Sequence, residues 1–106
     1  WKKSMIKFVE VKKINDFNPL QNKASIRYEL REVWINPATI LQIKDDGAMK
    51  YNLSQGYLPD QLDERQQFSH IQYGTGNNIT ALTVVGDPEA ITEKIHRSAH
   101  RVLLKG

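Results

Sequence analysis

The chain has 106 residues, 40% of them hydrophobic and 25% charged, with a formal net charge of +3 and no cysteine. That length makes one domain, residues 1–106, with a modest core. The composition leaves no disulfide framework, no thiolate chemistry, no apolar run of membrane-spanning length and no segment ordered like a secretory signal, so a soluble, cytoplasmic protein is expected.

Charge is unevenly placed. Lys94, Arg97, Arg101 and Lys105 load one end and Lys2, Lys3, Lys7, Lys12 and Lys13 the other, with Asp45, Asp46, Asp60, Asp63 and Glu64 between them. Basic patches of this size suit a compact anionic partner better than duplex nucleic acid. Trp1-Lys2-Lys3-Ser4 is read as an appended or trimmed end, with Met5 as a candidate natural start.

Met5 to Lys12 has a strand-like pattern, with Ile6 and Phe8 on one side and Val9 and Val11 partly on the other. Turn formers in Asn15-Asp16-Phe17-Asn18-Pro19 predict a loop reaching Lys23. Ser25 to Ile35 alternates, Ile26, Tyr28 and Leu30 against Arg27, Glu29 and Arg31. The slip at Glu32-Val33-Trp34-Ile35 predicts a bulge or a stretch buried on both sides, which assigns Trp34 and Ile35 to core or subunit interface. Asn36-Pro37 halts this strand, Ala38-Thr39 makes a tight or single helical turn, and Ile40, Leu41 and Ile43 restart an extended segment that ends at Asp45-Asp46-Gly47.

Ala48 to Arg65 follows no long period and reads as an ordered excursion with one short strand, a natural place for a binding loop. Gln66 to Tyr73 and Asn78 to Val85 alternate on either side of Gly74-Thr75-Gly76-Asn77 and predict a hairpin. Tyr73 pairs with Asn78 in that reading, which sets Phe68 roughly 16 Å from the level of Asn78 at about 3.3 Å per residue. Either the ligand is long, the register is different, or the site is shared between subunits, and the last option leads to the expectation of a homo-oligomer.

The most secure element runs from Gly86 to Lys105. Asp87 is placed to cap the free N–H groups, Pro88 gives up no needed donor at the first helical position, and Glu89 suits the positive first turn. Ile91, Ile95, Ala99 and Val102 form an apolar stripe with Leu103 at its edge, while at about 100° per residue Lys94, Arg97 and Arg101 share another side. Such a ridge serves either as a solvated helix surface or as an anion grip, because arginine forks match phosphate oxygens. The sum is an α+β domain: an antiparallel sheet of about five strands followed by a C-terminal helix.

Phe68 shares its strand face with His70 and Gln72, so it is either packed under the Ala48–Arg65 loop or free to stack a nucleobase. Asn78 offers a donor and an acceptor for a base edge. His96 and His100 have helical metal spacing but no completing ligand, and neither Ser69 nor Ser98 sits in a nucleophile motif. No metal, cofactor or catalytic residue is therefore assigned, and the chain is read as a binder and not an enzyme.

Arg31-Glu32-Val33-Trp34-Ile35-Asn36-Pro37, Leu58-Pro59-Asp60-Gln61-Leu62-Asp63-Glu64-Arg65-Gln66-Gln67-Phe68 and Thr83-Val84-Val85-Gly86-Asp87-Pro88-Glu89-Ala90-Ile91 together resemble the phage anti-Thoeris proteins of the first type, over roughly Tyr28 to Leu104. The resemblance implies an anti-defence sponge in the cytoplasm of an infected host cell. Such a protein binds a glycocyclic ADP-ribose signal, and in some members cyclic oligonucleotides, without cleaving it. It also implies Phe68 as the base-stacking aromatic, Asn78 as a base or ribose contact, Arg97 with Arg101 as the pyrophosphate grip, and an oligomer that completes the site. The strand, Ile35-Asn36-Pro37 corner, hairpin and terminal helix are also similar to small flagellar-type regulators, which would make the chain a protein-interaction module.

Overall fold

A long β-ribbon dominates the outline of the molecule. The computed structural model describes residues 5–18, 20 and 23–105. In it β1 (Ile6–Asn18) and β2 (Lys23–Ile35) pair antiparallel without interruption, from Ile6 opposite Ile35 to Asn18 opposite Lys23. The loop expected from Asn15 is therefore strand as far as Asn18. Cross-strand pairing overrides the local turn preference there, because each of these residues faces a partner on the strongly alternating β2. No bulge falls at Glu32–Ile35, where Val33, Trp34 and Ile35 face Phe8, Lys7 and Ile6 in order. The irregularity lies in β3 (Ile40–Asp45), between Ile40 and Gln42.

The Asn36-Pro37 corner forms as its chemistry predicts. Asn36 Oδ1 accepts from the Ala38 N–H at 3.0 Å, Thr39 Oγ1 donates to the Asn36 carbonyl at 2.7 Å, and Pro37–Thr39 make one 3-10 turn. After β3 the chain enters a helix, α1 (Gly47–Ser54), where a short strand was expected. Asp46 decides this. Its Oδ1 accepts from the Met49 N–H at 3.0 Å as an N-cap, and its Oδ2 accepts from Thr83 Oγ1 at 2.6 Å, so a residue far along the chain holds the cap in place. The remaining elements are β4 (Phe68–Thr75), β5 (Asn78–Val85) and α2 (Pro88–Lys105). The five strands form one antiparallel sheet in the order β2-β1-β5-β4-β3, and the protein is of the α+β class.

Both faces of the sheet are covered at β4. On one, Ile6, Phe8, Ile35, Ile71, Leu82 and Val84 pack with Ile91 of α2, and Ile95 rests against them. On the other, Val11, Leu58 and Phe68 pack beneath Met49 and Leu53 of α1, with Leu62, Tyr28 and Leu30 alongside. Asp87 Oδ1 accepts from the Ala90 N–H at 2.8 Å, which is the expected helix start. The apolar stripe of α2 holds through Ile91 and Ile95, but Ala99 is exposed; the side chains of His100 to Lys105 and residues 1–4 lie outside the description.

Beyond Glu10, which meets Val84 of β5, the described ladder of β1 is with β2 alone. The ribbon thus continues past the packed sheet, and it lengthens the molecule to 57 Å along its main axis with a radius of gyration of 16.0 Å, against about 13 Å for a compact chain of similar size. On its surface Glu29 is held between Arg27 and Arg31, whose hydrogen bonds, that of Arg31 first, keep its carboxyl below the ordinary range.

Two consequences can be measured. Phe68 exposes none of its surface, so Phe68→Ala should cost about 3–5 kcal/mol in urea unfolding. Because the Glu29 pKa is lowered on folding, its contribution is present at neutral pH and fades as the pH falls through that lowered value. Glu29→Gln should remove this part of the acid dependence in unfolding measured from pH 7 downwards.

Candidate functional site

Where the Asn36-Pro37 corner meets the β4–β5 turn, the end of the sheet opens into a cleft of about 320 Å³. Its walls include Val33, Trp34, Ile35, Asn36 and Thr39 from the corner and Tyr73, Gly74, Thr75 and Asn78 from the hairpin. Two local features shape it. Thr75 pairs with Asn78 to close a two-residue turn, Gly76-Asn77, with Gly76 at φ 57°. Gly74, at φ 145°, lets the two strands approach so closely that a Cβ there would stand 2.0 Å from the Asn78 carbonyl oxygen.

The chemistry of the cleft is that of a planar, polar-edged ligand. Trp34 lines the cleft and is 52% exposed; alternation along β2 turns its side chain to the face of Lys7, opposite to that of Val33 and Ile35, and an exposed indole at this edge can stack a nucleobase for about 1–3 kcal/mol. Among the described residues, the Trp34 indole N–H, the Tyr73 and Thr75 hydroxyls and the Asn78 carboxamide have no intramolecular hydrogen-bond partner. No carboxylate lines this cleft. Two other concavities carry acids, Asp63 and Asp87 with Arg65 in one and Glu89 and Glu93 with His96 in the other, which makes them less suited to a phosphate.

Cations gather on α2. Lys94 Nζ stands 5.3 Å from the centre of the Phe8 ring, a cation–π distance. Its pKa is lowered by desolvation first, then by the charges of Lys7 and Arg97. Lys7, one of those two, is the ladder partner of Trp34 and reaches Glu32 at 3.7 Å. Lys94 and Arg97 have no acidic partner among the described residues, so an anion set between them would relieve their mutual repulsion.

The expected site residues do not come together on one chain. Phe68 is fully buried under Leu58, so it has no free face for a base; it serves the core, because the segment after α1 folds over it. Its ladder partner is Val85, whereas Asn78 faces Thr75 and Tyr73 faces Thr80. That register, shifted from the expected Tyr73–Asn78 pairing, sets Phe68 and Asn78 roughly 23 Å apart along the strands at about 3.3 Å per residue. They also point to opposite faces, being an odd number of residues apart along the ladder. Asn78 is exposed at the cleft, Arg97 is exposed on α2, and the Arg101 side chain lies outside the description. His96 is exposed on α2, and among the described residues no three His, Asp or Glu side chains converge on a metal-sized site. The Ser69 hydroxyl is buried and donates to the Gly86 carbonyl at 2.7 Å, which commits it to the fold.

Of the two places expected for Trp34, core or subunit interface, its 52% exposure excludes the core. Its position beside Val33 and Ile35 suggested burial, but strict alternation along β2 puts it on the face of Lys7, whose exposure was the available signal. No helix among the described residues is long and apolar enough to cross a membrane. No family model, curated protein or solved structure matches the chain, so the site rests on its own chemistry.

The residues that line the cleft should respond differently to mutation. Trp34→Ala and Asn78→Ala should each change unfolding free energy by less than about 1 kcal/mol, as exposed positions do. Gly74→Ala should cost several times more, because the added carbon meets backbone.

Proposed function

We propose that this protein binds and sequesters a small anionic signal of the cyclic nucleotide type, of the glycocyclic ADP-ribose class, without cleaving it, and that it does so as an assembly of identical subunits. The observation that supports this reading is the cleft itself, which among the described residues is lined by the half-exposed Trp34 and by polar groups without intramolecular partners, and by no carboxylate; the cations of α2 that lack an acidic partner among the described residues add to it. A base stacks on Trp34 and is read by Asn78. Phosphates lie toward Lys94 and Arg97, with Arg101 one helical turn further on. Trp34 takes the stacking role that the anti-Thoeris resemblance gives to Phe68.

Sequestration needs no chemistry at the ligand. A site that holds its ligand below the signal's working concentration removes it from the effector by mass action, which in an infected cell would suppress a nucleotide-triggered host defence. Cyclic oligonucleotides offer the same combination of base and phosphate and are the natural second ligand class. A different reading, a protein-interaction module, draws support from the ribbon, where Ile26 is 57% exposed.

The test is equilibrium dialysis with cyclic ADP-ribose isomers and cyclic dinucleotides, followed by heating and mass analysis of the released ligand. Arg97→Ala combined with Arg101→Ala should weaken retention by about 100-fold or more, since each charge-assisted bond contributes about 1.5–3 kcal/mol. Trp34→Ala should weaken it by about tenfold or more, and the ligand should be recovered intact. Unchanged retention in both variants would remove these residues from the site, and a hydrolysed product would make the protein an enzyme.

A further inference from the structure

We propose that two copies of this chain join edge to edge along β2, antiparallel and two-fold symmetric about Leu30, so that the sheet continues from one subunit into the next. The two outer strands of the sheet differ in a way that bears on this. β3 is short and irregular between Ile40 and Gln42, features that discourage further pairing. β2 is the other edge; it runs for 13 residues in unbroken register with β1, and no proline, glycine or bulge interrupts it. Its outward backbone groups form a long straight template, the kind of edge that natural folds blunt or pair. A two-stranded ribbon extending beyond its sheet is also marginal alone in water, so added pairing would stabilise it.

The side chains select the partner and the register. A two-fold axis perpendicular to the sheet preserves its faces, so facing residues share a face and the axis must pass through a residue of β2. About Glu29 the pairing would oppose Glu29 to itself and Arg27 to Arg31; about Arg31 it would oppose Arg31 to itself. Both registers set like charges opposite each other, which is destabilising. About Tyr28, Arg27 meets Glu29, but Trp34 falls outside the overlap. About Leu30, Glu29 meets the partner's Arg31 on both sides of the axis and Leu30 meets its own counterpart. Ile26, 57% exposed, then meets the partner's Trp34, 52% exposed, so two of the largest exposed apolar side chains of the described residues cover each other. The alternating signs of Arg27, Glu29 and Arg31 are thus self-complementary in this register.

The pairing also bears on the cleft. Trp34 is one of its walls, and the partner's Ile26 would lie against the outer side of that indole. The subunit boundary then passes beside the candidate site at both ends of the interface. The pairing itself needs no ligand, so its test stands apart from that of the nucleotide reading.

The experiment is sedimentation equilibrium on ligand-free protein with charge-reversed variants, each checked for its fold by circular dichroism. The wild type should be dimeric at micromolar concentration. Glu29→Arg sets cations opposite each other and Arg31→Glu sets acids opposite each other, so each alone should raise the dissociation constant by about tenfold or more. An equimolar mixture of the two variants restores both opposite-charge contacts and should dimerise as the wild type does. Ile26→Lys, at an exposed position whose change spares the fold, should also weaken the dimer. A monomeric wild type would overturn the proposal, as would a dimer indifferent to all three substitutions. Dimers weakened by Glu29→Arg but not by Arg31→Glu would overturn the Leu30 register in favour of the one about Tyr28.

Discussion

β4 must be buried on both faces, and the rest of the molecule follows from how that is done. Phe68 and Ile71 point to opposite sides of this strand and neither exposes any surface. Among the described residues two α-helices are there to cover them. α2 lies on the Ile71 side through Ile91 and Ile95, and α1 with the segment holding Leu58 and Leu62 closes the Phe68 side. Each fully buried aromatic or branched side chain contributes about 1.5–3 kcal/mol, so this is where the apolar material of a small domain is best placed. The distal ribbon and the end of the sheet are left uncovered as a result. The candidate chemistry is found in those two places.

Charge is arranged around the same plan. The acids of the middle of the chain serve local structure: Asp46 caps α1, Asp87 caps α2, and Asp63 is bonded by Arg65 at 3.1 Å. On the ribbon, Glu29 is shared by two arginines. Lys94 and Arg97 receive no such partner among the described residues, and Lys94 gives up proton affinity because of burial and its cationic neighbours. An exposed ion pair contributes little to stability, so the uncompensated cations matter less for folding than for what they can hold. Those cations on α2, together with the exposed polar residues that line the cleft at the end of the sheet, are the physical basis of the ligand reading.

Much of this fold was legible wherever local chemistry decides local structure. The Asp87-Pro88 helix start, the Asn36-Pro37 corner and the β4–β5 hairpin all follow from residues within one turn of each other. What failed to show in the pattern depends on distant partners. α1 needs Thr83 to hold its cap, β1 continues through turn formers because β2 lies beside it, and Phe68 is buried because Leu58 folds back over it. The hairpin register differed for a local reason: Gly74 carries the close approach within the strand and leaves Gly76-Asn77 as the turn. Of the candidate site, Asn78 and the cationic side of α2 could be picked out from residue type and helical spacing. Trp34 could not, since a run of three apolar residues hides which of them faces outward.

Whether the intact protein holds a nucleotide without consuming it is read most directly by native mass spectrometry. The protein would be sprayed alone and after incubation with cyclic ADP-ribose isomers and cyclic dinucleotides, and the bound species then released by collision. An even-numbered assembly that gains whole ligand masses and releases them unchanged is the predicted result. A monomer that gains no mass from any of these ligands would contradict it.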